Sequence, residues 1–377
     1  MIPFSQPYTS RREAEQVLEA MQSHRLSGDG PFTRKCHSQL AGLLAGAHVL
    51  LTHSATAALE MCALLADLAP GDEVIMPSFT FVSTANAVVL RGAVPVFVDI
   101  REDTLNIDEN LVEAAITPRT RAILPVHYAG VACAMDSLLA IAKRRGLLVI
   151  EDAAQGIMAR YRGRPLGALG HMSAMSFHAT KNIGCGEGGA FITNSTELAE
   201  RAEIMREKGT NRSRFLRGEV DKYTWVATGS SYLPSELNAA VLDAQLQEAK
   251  WITDGRLQLW NCYHEAFASE ERAGRARRPI VPADCQHNGH LYYLLLPDLA
   301  SRTAFIQHLK ARGIAASFHY VPLHATEHAA TCTRNGSDLG RTMNLSERLV
   351  RLPLWTGLEA RLDEVIEAAI ETLREVA

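Results

Sequence analysis

The sequence lacks the features that mark several large classes of protein. Its seven cysteines are odd in number and form no C-x-x-C pair, which argues against a disulfide framework or a zinc knuckle and favours a reducing cytoplasm. With 38 basic and 42 acidic side chains the net charge is −4, so no basic field exists to hold nucleic acid or an anionic membrane. The longest apolar stretch, residues 40–51, is too short to span a bilayer, and residues 1–16 lack a signal peptide's apolar core. We therefore expect a cytoplasmic protein that acts on a small polar molecule.

Short apolar runs alternate with helix-like segments between about Val49 and Thr193. This rhythm predicts an α/β fold with a mostly parallel sheet that is covered by helices on both faces. Ligands of such sheets bind beyond the carboxyl ends of the strands. Chemistry is therefore expected at the residues that end or follow the predicted strands: Ser54, Pro77, Asp99, His127 and Asp152.

The pattern changes towards the C-terminus. A long helical region is predicted from Ser235 to about Ala266, and after it come a strand, a helix and a strand in LYYLLLP, TAFIQHLKARG and AASFHYVP, then a terminal helix. A chain of 377 residues is also long for a single core. We predict a large domain over residues 1–248, which includes the N-terminal segment, and a smaller α+β domain over residues 249–377.

The most specific chemistry lies in EDAAQG, residues 151–156, and SFHATKN, residues 176–182. These segments contain Asp152 and Lys181, 29 positions apart. A lysine amine with a lowered pKa attacks carbonyl carbons, and a carboxylate can keep a pyridine nitrogen protonated so that the ring withdraws electrons. Taken singly, such residues are more often a solvated lysine and a capping carboxylate. The pair in this context predicts pyridoxal 5'-phosphate as the cofactor.

Residues 53–61, HSATAALEM, are typical of a strand that opens directly into a helix. Backbone N–H groups and hydroxyls of Ser54, Ala55 and Thr56 would then face a phosphate at the positive end of that helix. Ser54 alone is equally well explained as a helix cap. Phe81, in PSFTFVSTAN, either packs in the core or stacks on a flat ring, and the sequence leaves both roles open.

A set of motifs covers most of residues 1–245: IPF, GDGPFTR, PGDEVIMPSFTFVSTANAVVLRGA, VHYAGVAC, EDAAQG, REKGTNRS, VDKYTW and GSSYL. Together they resemble the sugar aminotransferases of fold type I, the DegT/DnrJ/EryC1/StrS family, and within it the branch that acts on TDP-4-keto-6-deoxy-D-glucose. The resemblance implies transfer of an amino group from L-glutamate to this nucleotide-linked sugar, which yields the 4-amino sugar. It also implies a homodimer with the active site at the subunit interface.

The resemblance further implies roles for single residues. Lys181 holds the cofactor as a Schiff base, and Asp152 pairs with the pyridine nitrogen. The remaining cofactor contacts that it implies are Gln155 near the ring oxygen, Phe81 on the ring face, and Ala55, Thr56 and Ser176 at the phosphate.

Other residues are expected at the substrate or at the partner subunit. In GSSYLPSE, Ser231 and Leu233 stand where many members carry Asn and then Arg or Lys, in a loop that reaches the partner's phosphate. Substrate contacts are expected from Lys208, Arg212, Lys222 and Tyr223 to a nucleotide diphosphate, and from His319 and Tyr320 to the sugar. A metal at the histidines near residue 320 is not expected, because their spacing is weak support for one.

Three alternative functions can be weighed against this one. In the first, the protein is an aminotransferase that acts on a 3-keto sugar or a cyclitol. In the second, it is a non-catalytic regulator that binds pyridoxal phosphate. A dehydrating relative that removes a hydroxyl from a 4-keto sugar would carry His at position 181, so Lys181 argues against this third alternative.

Overall fold

The structure, a computed structural model, describes residues 1–376. Its helices are α1 (Arg11–Gln22), α2 (Pro31–Leu43), α3 (Ala55–Leu65), α4 (Val82–Val89), α5 (Glu109–Ala115), α6 (Met135–Arg145), α7 (Thr196–Arg206), α8 (Arg212–Leu216), α9 (Glu236–Gln247), α10 (Ala249–Ala266), α11 (Ala268–Arg272), α12 (Leu299–Ala311), α13 (Ala329–Cys332), α14 (Gly340–Arg348) and α15 (Leu362–Val376). Its strands are β1 (His48–Thr52), β2 (Glu73–Pro77), β3 (Val94–Val98), β4 (Thr120–Ile123), β5 (Leu148–Asp152), β6 (Arg160–Tyr161), β7 (Arg164–Pro165), β8 (Met172–Ser176), β9 (Gly189–Thr193), β10 (Cys285–Gln286), β11 (Tyr292–Leu295), β12 (Arg334–Asn335) and β13 (Leu349–Leu352).

The central sheet contains eight strands in the order β1-β9-β8-β5-β4-β2-β3-β12. Strand β9 runs antiparallel to both of its neighbours, and the other adjacent pairs are parallel. The inner strands carry almost continuous apolar runs, as in the fully buried EVIMP of β2, because both faces of the sheet are covered. The prediction of a mostly parallel α/β sheet is confirmed.

Helices pack on both faces of this sheet. One buried cluster joins α3 and α4 to the sheet through residues such as Met61, Val88 and Phe97. Another joins α2 and α9 to the opposite face and includes Phe32 and Leu242. The two layers fix the positions of the strands, so the residues at the strand ends are held on a rigid base.

A second core forms towards the C-terminus, where β11 and β13 make a two-stranded antiparallel sheet. Tyr292 of β11 and Phe305 of α12 are fully buried there, and Ile2 from the N-terminal segment lies in the same cluster. Helix α10 joins the two cores, since Ile252 packs with α2 and α9 while Tyr263 packs in the C-terminal cluster. A domain boundary at residue 248 stays a prediction.

One local prediction was wrong. The segment AASFHYVP is not a strand: it makes one isolated bridge, between Ser317 and Arg351. Tyr320 has a positive φ of 42°, which interrupts an extended backbone, and Pro322 cannot donate to a ladder. The helical region predicted from Ser235 to about Ala266 is present and consists of α9 and α10, which meet at Glu248.

Several features bear on the function classes considered above. Throughout residues 1–376, no helix has the length and apolar character needed to cross a membrane. The seven cysteines are all free thiols. In the same described part of the chain, no cluster of three or more His, Cys, Asp or Glu side chains is arranged to hold a metal ion.

Candidate active site

A cavity of about 640 Å³ opens at the carboxyl ends of the central strands. This volume is in the range of sites that enclose a small ligand. Residues from both cores line it, so the cavity lies where the two parts of the chain meet. The predicted site residues that line it are Ala55, Thr56, Phe81, Asp152, Gln155, Ser176, Lys181, His319 and Tyr320.

Lys181 lies in a tight turn shortly after β8. Its backbone N–H donates to His178 O at 2.8 Å, and Cys185 N–H donates to Phe177 O at 2.8 Å, so the turn is closed on both sides of the lysine. The pKa of Lys181 is lowered to about 8, because burial outweighs the opposing effect of the Asp152 carboxylate and the positive charge of Arg351 adds to the lowering. At neutral pH roughly a tenth of the amine is therefore uncharged, which is the form that attacks a carbonyl.

The lowered pKa of Lys181 predicts a pH profile for cofactor capture. An ordinary lysine stays protonated up to about pH 10, whereas this amine loses its proton near pH 8. We expect the rate at which the cofactor-free protein bonds covalently to pyridoxal phosphate to rise through about pH 8 and then level off. Stopped-flow absorbance measures that rate. A rate that keeps rising to about pH 10 would contradict a lowered pKa.

Asp152 is the last residue of β5, and its carboxylate is buried and held by two donors. Ala154 N–H donates to Oδ1 at 3.1 Å, and Thr84 Oγ1 donates to Oδ2 at 2.7 Å. Thr84 in turn shares a 2.7 Å hydrogen bond with Thr80, one turn earlier. A carboxylate has about four lone-pair sites, so Asp152 keeps capacity for one more donor in the cavity, such as a protonated ring nitrogen.

Thr84 is a site residue that the sequence did not reveal. Thr84→Val keeps the side-chain shape and removes the hydrogen bond to Asp152, which leaves the carboxylate less well oriented. We expect pyridoxal phosphate to bind about 5- to 15-fold more weakly, as for the loss of one hydrogen bond of ordinary strength, because the lost bond orients the carboxylate and does not contact the cofactor. A fluorescence titration of the cofactor-free protein measures this affinity. Thr303→Val, in α12 outside the cavity, is the matched control, and equal affinities for both variants would exclude the role.

The start of α3 provides a place for a phosphate. Ser54 caps this helix, because its side chain accepts from Ala57 N–H at 3.1 Å, and Ala55 and Thr56 follow as the first helical residues. N–H groups in a first helical turn have no acceptor within the helix and favour an anion. Gly189 allows this arrangement, since a Cβ at that position would lie 2.4 Å from Ala55 N.

The cavity also contains aromatic and amide groups suited to a flat ring. Phe81 is 58% exposed, so it is not a core residue, and it lines the cavity at the start of α4. Gln155 is fixed at both ends: Oε1 accepts from Ala129 N–H at 2.7 Å, and Nε2 donates to Tyr320 Oη at 3.0 Å. The rings of His319 and Tyr320 stack with their centroids 3.7 Å apart. Their positions form a polar and aromatic wall.

Five predicted residues lie outside this cavity: Lys208, Arg212, Lys222, Tyr223 and Ser231. Lys208 and Arg212 pair with Glu207, at 3.4 Å and 3.1 Å, and Ser231 bridges to the same residue. Tyr223 is 53% exposed. Within one chain these five residues, the separate surface, therefore lie away from the cavity, and their roles at a substrate or at a partner subunit stay predictions.

Three cavity residues from the second half of the chain were not found from the sequence. Arg256 of α10 donates to the backbone oxygens of Gly289, at 3.1 Å, and His290, at 2.6 Å. His290 forms a hydrogen bond through Nδ1 with Oδ1 of Asn182, the residue after Lys181, at 2.8 Å. Arg351 of β13 also lines the cavity. A lone Arg or His in an apolar strand or helix gives no sequence signal of such a position.

The residues of the cavity fit pyridoxal phosphate. The amine of Lys181 is available to bond the cofactor's aldehyde, and Asp152 has a free acceptor for its ring nitrogen. The N–H groups at the start of α3 are available for its phosphate. The lining residues come from β5, the turn after β8, α3 and α4, and the fold itself brings them to one edge of the sheet.

Comparisons with known proteins agree with this chemistry. The family description DegT/DnrJ/EryC1/StrS aminotransferase matches residues 7–370. The chain is 34% identical over 385 aligned positions to the spore coat polysaccharide biosynthesis protein SpsC of Bacillus subtilis, and the match covers 100% of this chain and 97% of that protein. The match thus extends over nearly the whole length of both proteins.

Solved structures give the same result. A putative sugar aminotransferase, Spr1654 of Streptococcus pneumoniae, superposes with a TM-score of 0.92 at 26% identity and full coverage of both chains. The Helicobacter pylori aminotransferase PseC, involved in the biosynthesis of pseudoaminic acid, has a TM-score of 0.88 at 25% identity and covers 99% of each chain. The chain thus belongs to the DegT/DnrJ/EryC1/StrS family and is a fold type I aminotransferase that depends on pyridoxal phosphate.

Proposed function

We propose that this enzyme transfers an amino group from L-glutamate to a nucleotide-linked 4-keto-6-deoxy sugar, TDP-4-keto-6-deoxy-D-glucose, and releases the 4-amino sugar. The observation that carries the proposal is the enclosure of the Lys181 amine and the Asp152 carboxylate in one cavity. The choice of acceptor is supported by the motifs of residues 1–245 and by relatives whose names refer to polysaccharide and pseudoaminic acid biosynthesis.

The side chains divide the work of this reaction. Pyridoxal phosphate, when bound, supplies an electron-withdrawing ring that stabilises negative charge at the carbon that bears the amine. Asp152 would pair with its ring nitrogen, and Thr84 holds that carboxylate in place. The amine of Lys181 would hold the aldehyde and would act as the base for the proton on the donor's α-carbon. Phe81 and Tyr320, which line the cavity, would flank the reacting groups.

A second copy of the chain completes the proposal. We place the separate surface, Lys208, Arg212, Lys222, Tyr223 and Ser231, at the cavity of the partner subunit, where the cations would bind a diphosphate. Lys222→Ala should then raise the half-saturation concentration of the nucleotide sugar and leave that of L-glutamate unchanged.

Light scattering on the purified protein tests the dimer directly, and an active monomer would refute it.

The acceptor is tested with purified enzyme, L-glutamate and a set of keto compounds. We expect amino sugar and 2-oxoglutarate in equal amounts from TDP-4-keto-6-deoxy-D-glucose, as measured by liquid chromatography and mass spectrometry. Preference for the 3-keto isomer or for a keto cyclitol would replace the proposed acceptor. Failure of L-glutamate to alter the visible spectrum of the bound cofactor would instead favour a non-catalytic regulator.

A further inference from the structure

The guanidinium of Arg351 lies in the active-site cavity without a charge partner. It is held by β13, whose backbone pairs with Ser317 through N–H to O at 2.7 Å. Its side chain makes one hydrogen bond in residues 1–376, from Nη2 to Phe318 O at 3.0 Å, and its Nε is buried with no acceptor. The Phe4 ring lies 4.6 Å from the guanidinium carbon and closes another side.

Two other enclosed arginines of this protein have more partners than Arg351, although the Nε of Arg206 also lacks an acceptor. Arg206 forms an ion pair with Asp29 at 2.5 Å and donates to Leu51 O. Arg256 gives its Nε and Nη2 protons to two backbone oxygens. A buried charge that has no partner destabilises the folded chain, and such groups are normally paired or bind an ion. Of the two arginines that line the cavity, Arg351 makes fewer hydrogen bonds and has a buried Nε without an acceptor, so an entering anion would complete its arrangement.

The cofactor's phosphate and the donor's α-carboxylate are two anions that could pair with Arg351, and the other contacts of the site favour the carboxylate. The start of α3 already offers N–H groups for the cofactor's phosphate, and Asp152 is directed to its ring. The field of Arg351 acts on Lys181, where it helps to lower the pKa of the amine. A donor whose amine takes the place of the lysine amine carries its α-carboxylate on the adjacent carbon. Because Arg351 lines the same cavity as Lys181, its guanidinium is a candidate partner for that carboxylate.

The surroundings of Arg351 add no negative charge. His290 and His319 face it and are neutral, because burial and nearby cations hold the pKa of each well below its ordinary value. Tyr128 and Tyr320 are also neutral at physiological pH, since burial raises the pKa of both phenols. A carboxylate that enters beside Arg351 therefore meets positive charge, since Lys181 also acts on both histidines, and no carboxylate of residues 1–376 forms an ion pair with this guanidinium.

We propose that Arg351 binds the α-carboxylate of the amino donor and thereby selects 2-amino acids over simple amines. This assignment rests on the proposed transamination and names a specificity residue for its first half. Guanidinium and carboxylate pair through two parallel N–H···O bonds, which also fixes the orientation of the α-carbon towards Lys181.

The test compares two donors that differ in this one group. L-Glutamate carries the α-carboxylate, and 4-aminobutyrate has the same chain and terminal carboxylate without it. For Arg351→Gln we expect the half-saturation concentration of L-glutamate to rise roughly 10- to 100-fold, and that of 4-aminobutyrate to change less than about twofold. The change in the visible spectrum of the holoenzyme follows both reactions. Arg351→Lys, which keeps the charge and loses the planar fork, should fall between the parent and Arg351→Gln.

Controls separate this role from folding and from the proposed function. Arg361→Gln, on an exposed arginine outside the cavity, should match the parent in all assays. Calorimetric titration with glutarate, which binds without reacting, should show weaker binding to Arg351→Gln even if the sugar acceptor is wrongly assigned. The proposal would be overturned if Arg351→Gln raised the half-saturation concentrations of both donors equally or left glutarate binding unchanged. It would also be overturned if the variant bound only the nucleotide sugar or only pyridoxal phosphate more weakly.

Discussion

Lys181→Ala is expected to abolish transamination. The substitution removes the amine that bonds the cofactor and that moves the proton at the donor's α-carbon, so the rate of 2-oxoglutarate release should fall by at least about 10⁴-fold. Reduction of the holoenzyme with borohydride, followed by intact-protein mass spectrometry, gives a second readout. The parent should gain the mass of the reduced cofactor, and the variant should not.

The matched control for this prediction is Lys250→Ala. Lys250 is an exposed lysine of α10 that pairs with Asp254 at 2.6 Å, and it lies outside the cavity. This variant should keep both the parent's activity and its covalent cofactor. Lys181→Ala protein that still releases 2-oxoglutarate at the parent's rate would show that another group performs the chemistry.

Asp152→Asn is expected to have the second-largest effect. The amide has the shape of the carboxylate and can still accept from Ala154 N–H, so the local fold should be retained. It lacks the negative charge that keeps the cofactor's ring nitrogen protonated. We expect the turnover rate to fall roughly 10²- to 10³-fold, the effect of losing one partner of a buried charge pair.

Single-turnover kinetics with L-glutamate measures this effect at the step where charge develops on the α-carbon. Asp254→Asn, a half-exposed carboxylate of α10, is the control for loss of a negative charge elsewhere. Equal rates for Asp152→Asn and the parent would mean that the carboxylate does not act on the ring. A melting temperature close to the parent's would show that the loss of rate is not caused by unfolding.

Much of the fold could be predicted because its signals are local. The apolar runs of β2, β3 and β5 alternate with helices, and this rhythm fixes a parallel sheet whatever the later contacts are. The small polar residues after β1 mark a helix start, and Ser54 does cap α3. The failures also have a local cause: at Tyr320 a positive φ ended a pattern that otherwise favours a strand.

The contacts inside the site could not be predicted in the same way. Thr84 reaches Asp152 across 68 positions of sequence, and no spacing rule connects a helical threonine with a strand-end carboxylate. Arg256 and Arg351 enter the cavity from α10 and β13, which lie outside the motifs of residues 1–245. An arginine on an amphipathic element is usually exposed, so its burial becomes known only when the elements are packed.

The sequence by itself determined the class of the sheet, the family and the cofactor, because these depend on the order of strands and on a few residue types at strand ends. Only the tertiary structure decided that Phe81 faces the cavity, that Thr84 supports Asp152 and that Arg351 stands without a carboxylate. The physical reason is that burial and electrostatic partnership are properties of packed elements. A buried charge destabilises the folded chain when it has no partner, and whether it has one depends on which groups the fold places beside it.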